Sequence, residues 1–135
     1  MSVVPKAVRW ATYERDGFMC ACCGATDNLS FQHRRAVGMG GAGKKAAPLT
    51  PADGVTACVP CNGRFEADLQ REALKRGWKV PRSTPIPCDQ IPYFHSPRGI
   101  WVLPDRDGGY RVLSRRVATA MLADGYLGIS VEVKL

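Results

Sequence analysis

Cys20-Ala21-Cys22-Cys23-Gly24 and Cys58-Val59-Pro60-Cys61-Asn62 bracket the stretch that decides the fold, and Gln32-His33-Arg34-Arg35 lies between them. A Cys-x2-Cys turn brings two sulfurs to one side of a knuckle, so each pair can hold two corners of a tetrahedron. Four thiolates, Cys20, Cys23, Cys58 and Cys61, then close a structural Zn2+ site. Gly24 is the small residue that tightens the first knuckle. Such a site clamps everything between the pairs, and His33 lies in the clamped stretch. The metal is scaffolding in this reading, and the histidine is the first candidate for chemistry.

Working outward, two cysteines remain. Cys22 sits inside the first knuckle, and Cys88 is expected as a buried or free thiol. Disulfides would suit a secreted chain, but the N-terminal Met1-Ser2-Val3-Val4-Pro5-Lys6 has no signal-like apolar core. Metal-bound thiolates in an intracellular setting are the better reading. No apolar run approaches the ~20 residues that span a bilayer, so no membrane partner is expected. The 135 residues suit one compact core with an appendage. The net charge is +7; residues 1–82 hold 13 Lys/Arg against 7 Asp/Glu, and residues 83–135 hold 6 against 5. That asymmetry suggests a phosphate-bearing partner, although solubility alone would also account for it.

Local patterns predict an α+β chain. Pro5–Asp16 reads as a helix with Ala7, Val8, Trp10 and Ala11 as its apolar side. Asn28–Arg35 alternates as a short strand, with Leu29, Phe31 and His33 on one face and Ser30, Gln32 and Arg34 on the other. Residues 38–51 form a Gly/Ala/Lys loop. Val55–Val59 is a second strand entering the second knuckle. Asn62–Arg76 reads as one helix burying Phe65, Leu69 and Ala73 and stopping at Gly77. The prolines between 81 and 99 predict an extended linker or wrapping arm. Residues 100–135 predict a small α+β extension: a hairpin from Ile100–Leu103 and Tyr110–Leu113, a helix over Arg115–Ala123 capped by Ser114, and a strand carrying Ile129, Val131, Val133 and Leu135. Trp101 and Tyr110 are expected in the core. The Gly38-x4-Gly43-Lys44-Lys45 run looks like a phosphate-cradling loop. It lacks the following Ser/Thr and the strand-to-helix setting, so nucleotide binding is set aside.

A histidine-bearing strand, a loop, a second strand, a knuckle and a helix resemble the ββα-metal core of HNH endonucleases. The residues that carry the resemblance are Tyr13-Glu14-Arg15-Asp16-Gly17-Phe18-x-Cys20-x2-Cys23-Gly24, Gln32-His33-Arg34-Arg35, Gly38-Met39-Gly40-Gly41 and Cys58-x2-Cys61-Asn62. With Gly77-Trp78 and Trp101-Val102-Leu103, the chain resembles small HNH proteins of actinobacterial bacteriophages. The resemblance spans residues 8–113 and implies a zinc-stapled HNH core over 1–80, a metal-dependent DNA endonuclease activity, and a host-cytoplasm location. It implies His33 as general base and a single catalytic divalent metal (Mg2+, Mn2+, Ni2+ or Zn2+) held by Gln32, Asn62 and Glu66. Asp53 stands nearest the place of the residue that orients the base. It also implies a phage terminase or another phage protein as a partner.

This chain departs from the family at Gln32, where Asp or His is usual, and at Asn62, where His is usual. Both substitutions remove charge from the proposed metal site. Asn62 could instead cap a helix, and Glu66 could pair with a nearby Lys or Arg. Arg34, Arg35, Lys44, Lys45 and Arg64 flank the site and are expected on DNA phosphates. His95 is expected to have no chemical role. The rival expectation is a non-catalytic zinc module that binds DNA or protein.

Overall fold

The structure, a computed structural model, describes residues 3–36 and 47–125. It is mixed α+β with two small antiparallel sheets. Helix α1 (Lys6–Arg15) leads to the first cysteine knuckle and then to β1 (Leu29–His33). A short 3-10 turn, Pro51–Asp53, enters β2 (Gly54–Cys58), followed by α2 (Val59–Phe65) and α3 (Gln70–Lys75). Strands β3 (Tyr93–His95), β4 (Ile100–Pro104) and β5 (Tyr110–Leu113) form the second sheet, and α4 (Arg115–Gly125) follows. The expected strand over 129–135 lies outside the described residues.

Strands β1 and β2 pair antiparallel from Leu29↔Cys58 to His33↔Gly54. That register puts the second knuckle at one end of the hairpin and His33 at the other. Gly54 matters at the His33 end because the Phe31 ring lies where a Cβ would be. Its φ is ordinary extended backbone, so the requirement is space, not conformation.

Helix α1 does not bury the side expected. Trp10 is 57% exposed, while Thr12, Arg15 and the following Asp16 are buried. The contact with β2 is polar instead: Arg15 donates to Pro51 O and Gly54 O, both at 2.8 Å, and Asp16 accepts from the Thr56 amide at 2.9 Å. The helix expected over 62–76 starts earlier and is broken. It begins at Val59, with Cys58 as its cap and Pro60 in its first turn. At the break, Ala67 N reaches Arg64 O and Leu69 N reaches the same carbonyl, so an i+3 and an i+5 bond replace the regular ladder. The two offsets compensate, and Phe65 and Ala73 still reach one core.

That core gathers Cys20, Val55, Ala57, Phe65 and Trp78 with Tyr93 and Val102. A second core joins Val80, Cys88, Ile91, Trp101, Ala118 and Leu122. The proline-rich segment therefore contributes side chains to both. Ser114 Oγ accepts from the Val117 amide at 3.2 Å, as expected of the α4 cap. Tyr110, expected in the core, is 42% exposed.

Candidate functional site

The two knuckles meet. The sulfurs of Cys20, Cys23, Cys58 and Cys61 all lie within 4.8 Å of one another, and Cys23 Sγ is 3.7 Å from Cys58 Sγ. Gly24 adopts φ +82, its amide donates to Cys20 O at 2.8 Å, and the Cys23 amide points at Cys20 Sγ at 3.5 Å. These bonds fold the knuckle around the first sulfur. The knuckle is anchored to β2 by Ala21 N on Thr56 O, at 2.9 Å. Burial first, and then the neighbouring sulfurs, push the Cys58 and Cys61 thiols up. Four thiols this close cannot ionise together without a compensating cation, so the donor set fits a bound metal ion such as zinc. The site ties the Leu29/Cys58 end of the hairpin to the start of α2.

His33 stands at the opposite end of β1. Its ring packs edge-on against Phe31, with centroids 5.1 Å apart. Nε2 is buried without a hydrogen-bond partner among the described residues. Burial, followed by the positive charge of Arg9, holds its pKa below the ordinary histidine value, while Asp53 pulls the other way. The imidazole is therefore neutral near pH 7. Asp53 is beside it in the register and accepts the Arg34 amide through its backbone oxygen at 2.9 Å. Its carboxylate is engaged by the Thr50 amide at 2.8 Å.

Gln32 and Asn62 belong to the other face of β1. Gln32 is buried and its Nε2 donates to His33 O at 3.1 Å. Asn62 does not cap a helix, because Cys58 holds that position. Its Nδ2 donates to Ser30 Oγ at 3.0 Å, and Ser30 spends its own proton on Ala57 O at 2.9 Å. Both amide orientations are thus fixed by their partners, with each side-chain oxygen left as the acceptor. An amide oxygen can ligate a hard divalent cation, although without charge to strengthen the bond. The third expected ligand, Glu66, is 63% exposed on its side chain and is paired with Lys79 at 2.9 Å.

The expected phosphate-contacting residues separate. Arg34 is fully buried, and its guanidinium donates to the carbonyls of Gly77, Ala52, Cys88, Ile91 and Pro92 at 2.6 to 3.2 Å. This corrects its assignment to DNA contact: a side chain enclosed by carbonyls presents nothing to a phosphate. Arg35 is half-buried and donates to Ile86 O. Arg64 is exposed and paired with Asp68 at 2.8 Å. Lys44 and Lys45, with the Gly38–Gly41 motif, lie outside the described residues.

Sequence reasoning missed Arg9, whose charge is felt at His33, and the buried set of Arg15, Asp16 and Tyr93. In that set Asp16 accepts from Arg15 at 3.0 Å and from the Tyr93 hydroxyl. Arg15-Asp16 was visible as an ion-pair dipeptide, but nothing local marked it as buried. His95 is also buried, with Nε2 3.0 Å from Asp16 O. Among the described residues, no helix is long and apolar enough to cross a membrane. Comparison with family models, curated proteins and solved structures finds no match to this chain.

Proposed function

We propose that this chain is a zinc-stapled nuclease of the HNH type that hydrolyses DNA phosphodiester bonds. The observation that carries the reading is a neutral, half-buried His33 at the Gly54 end of a β-hairpin whose other end is tied by four cysteines to the following helix. Zn2+ at Cys20, Cys23, Cys58 and Cys61 is structural in this reading. His33 takes the proton of the attacking water, and its depressed pKa keeps it available for that near neutral pH. Asp53, beside the ring, favours the imidazolium that results. Gln32 and Asn62 offer amide oxygens to a divalent cation, which would supply Lewis-acid stabilisation of the departing oxygen.

Purified protein is incubated with supercoiled plasmid and Mg2+, Mn2+, Ni2+ or Zn2+, beside a chelator control and His33→Ala. Metal-dependent nicking that disappears in the variant supports the reading. The Glu66–Lys79 pair favours a second reading, because it neutralises the only charged ligand in the expected set. In that reading the chain is a zinc-stabilised module that binds DNA or protein without cleaving. Binding of DNA with no cleavage under any metal selects it.

A further inference from the structure

Two aromatic rings stand open at α1 and the turn after it, and one of them, Trp10, was expected on the buried side. Trp10 is 57% exposed and Phe18 37% exposed, and their rings meet edge to face with centroids 5.0 Å apart. Phe18 is held there by an unusual backbone. It has φ +55 directly after Gly17 at +73, and its amide donates to Tyr13 O at 2.8 Å. A bulky residue in the left-handed region is strained, and the strain here presents an aromatic ring to water instead of burying it. Hydrophobic burial does not explain the arrangement, because both rings remain exposed.

The surroundings are cationic. Lys6 is exposed on α1, and Arg9 is half-buried there; Glu14 is the single acidic residue in the helix. Arg98 is exposed, packs over Gly17 and donates to Arg15 O at 3.2 Å, which places a guanidinium beside Phe18. Arg9 lies between this surface and β1: its Nη1 donates to Tyr13 OH at 3.4 Å, Tyr13 OH in turn donates to Leu29 O at the cysteine end of the strand at 3.3 Å, and the Arg9 charge is felt at His33 toward the other end. Flat rings flanked by fixed positive charge match an unpaired nucleic-acid strand, whose bases offer faces to stack and whose phosphates need cations. A duplex offers no such faces except at its ends.

We propose that Trp10 and Phe18, with Lys6, Arg9 and Arg98, form a stacking platform for an unpaired DNA strand running past His33. The proposal rests on the nuclease reading for its choice of DNA and names the form of substrate that site receives: single-stranded, flapped or frayed DNA.

Tryptophan fluorescence tests it directly. Of the three tryptophans, Trp78 is 2% and Trp101 8% exposed, so quenching by a ligand that stacks at the surface reports Trp10. Titration of the whole protein with oligothymidylate, without divalent metal, is expected to quench this emission. Anisotropy of the labelled oligonucleotide is expected to give a roughly tenfold weaker Kd for Trp10→Ala and a Kd near the original for Trp10→Tyr. Unchanged thermal melting of Trp10→Ala confirms that the exposed substitution leaves the fold intact. Absence of quenching, equal affinity of Trp10→Ala, or duplex DNA quenching as strongly as oligothymidylate overturns the proposal. The readout is binding, so loss of plasmid cleavage would leave it standing and would overturn the nuclease reading alone.

Discussion

Replacing Arg34 by Met should unfold this protein more readily than any change at a surface arginine. The side chain is fully enclosed, and its guanidinium serves carbonyls from three separate stretches: Ala52 before β2, Gly77 after α3, and Cys88, Ile91 and Pro92 before β3. It also lies over the Tyr93 ring, 5.5 Å from the centroid. Methionine fills most of the stem volume but removes the guanidinium from those carbonyls; Cys88 O keeps the Ile91 amide at 3.1 Å. A charge-assisted hydrogen bond contributes about 1.5–3 kcal/mol, but five to one group are far from additive. Breaking a buried charged contact typically costs ~3–5 kcal/mol in total. Total stability for a chain of 135 residues is roughly 7–15 kcal/mol, so the loss is about a fifth to two thirds of it. Arg34→Lys keeps the charge with one compact donor group, and should recover only part of the loss. Urea unfolding in constant excess zinc measures the change through the midpoint. A shift below about 1 kcal/mol, together with weaker DNA binding and a shallower salt dependence, would refute the reasoning. That outcome would return Arg34 to the DNA-contacting surface.

Three further outcomes are expected. Stripping metal with a chelator, or Cys61→Ser, should abolish the cooperative melt and lower bound zinc from one per chain, read by elemental analysis beside circular dichroism; a chelated protein that melts as before removes the metal from the scaffold. Gly54→Ala should cost about 1–3 kcal/mol, because its Cβ would occupy the place of the Phe31 ring, and it should impair cleavage through the Phe31–His33 contact; unchanged melting would show that the ring has room to move. His33 and His95 both have pKa values lowered by burial, so the unfolded chain binds more protons in the window below ~6.5, and stability should rise with pH up to that value and then level off. The double variant His33→Gln, His95→Gln should flatten the urea midpoint across that window, and a slope equal to the original would refute the assignment.

What the sequence disclosed was local. The knuckle spacing, the alternation in β1, the β4–β5 turn and the Ser114 cap each depend on residues a few positions apart, and each is present. What it concealed was tertiary. Arg34-Arg35 reads as a basic pair, yet the partners of Arg34 are backbone carbonyls between 18 and 58 residues away. Every residue has a carbonyl, so no composition or spacing can announce that contact. The same holds for α1, whose apolar residues suggested its buried side. Thr12, Arg15 and Asp16 face inward because hydrogen bonds to Pro51, Gly54 and Thr56 satisfy them there. Glu66 was correctly weighed as a possible ion-pair partner, but Lys79 lies beyond α3 and only the fold brings it near.

On the proposed nuclease reading, these concealed contacts alter which surface would meet DNA. The excess positive charge of residues 1–82 includes Arg15 and Arg34, and both are enclosed. They act as fasteners at the Gly54 end of the β1–β2 hairpin, as the four cysteines do at the Cys58 end. His33 therefore sits at the end of a strand gripped at both ends, one by metal-ready sulfur and one by guanidinium. Such rigidity suits a side chain that must hold a fixed position while a proton moves. Among the exposed cations, which are spread over several elements, Lys6 lies one turn from Trp10 on α1 and Arg98 packs over Gly17 next to Phe18. A DNA-contacting surface inferred from Arg34 would run along β1. One inferred from exposure runs along α1, and the salt dependence of binding separates them: Arg98→Ala should shallow the slope by about one, whereas Arg34→Met should leave it unchanged at zinc and temperature settings where the variant is folded.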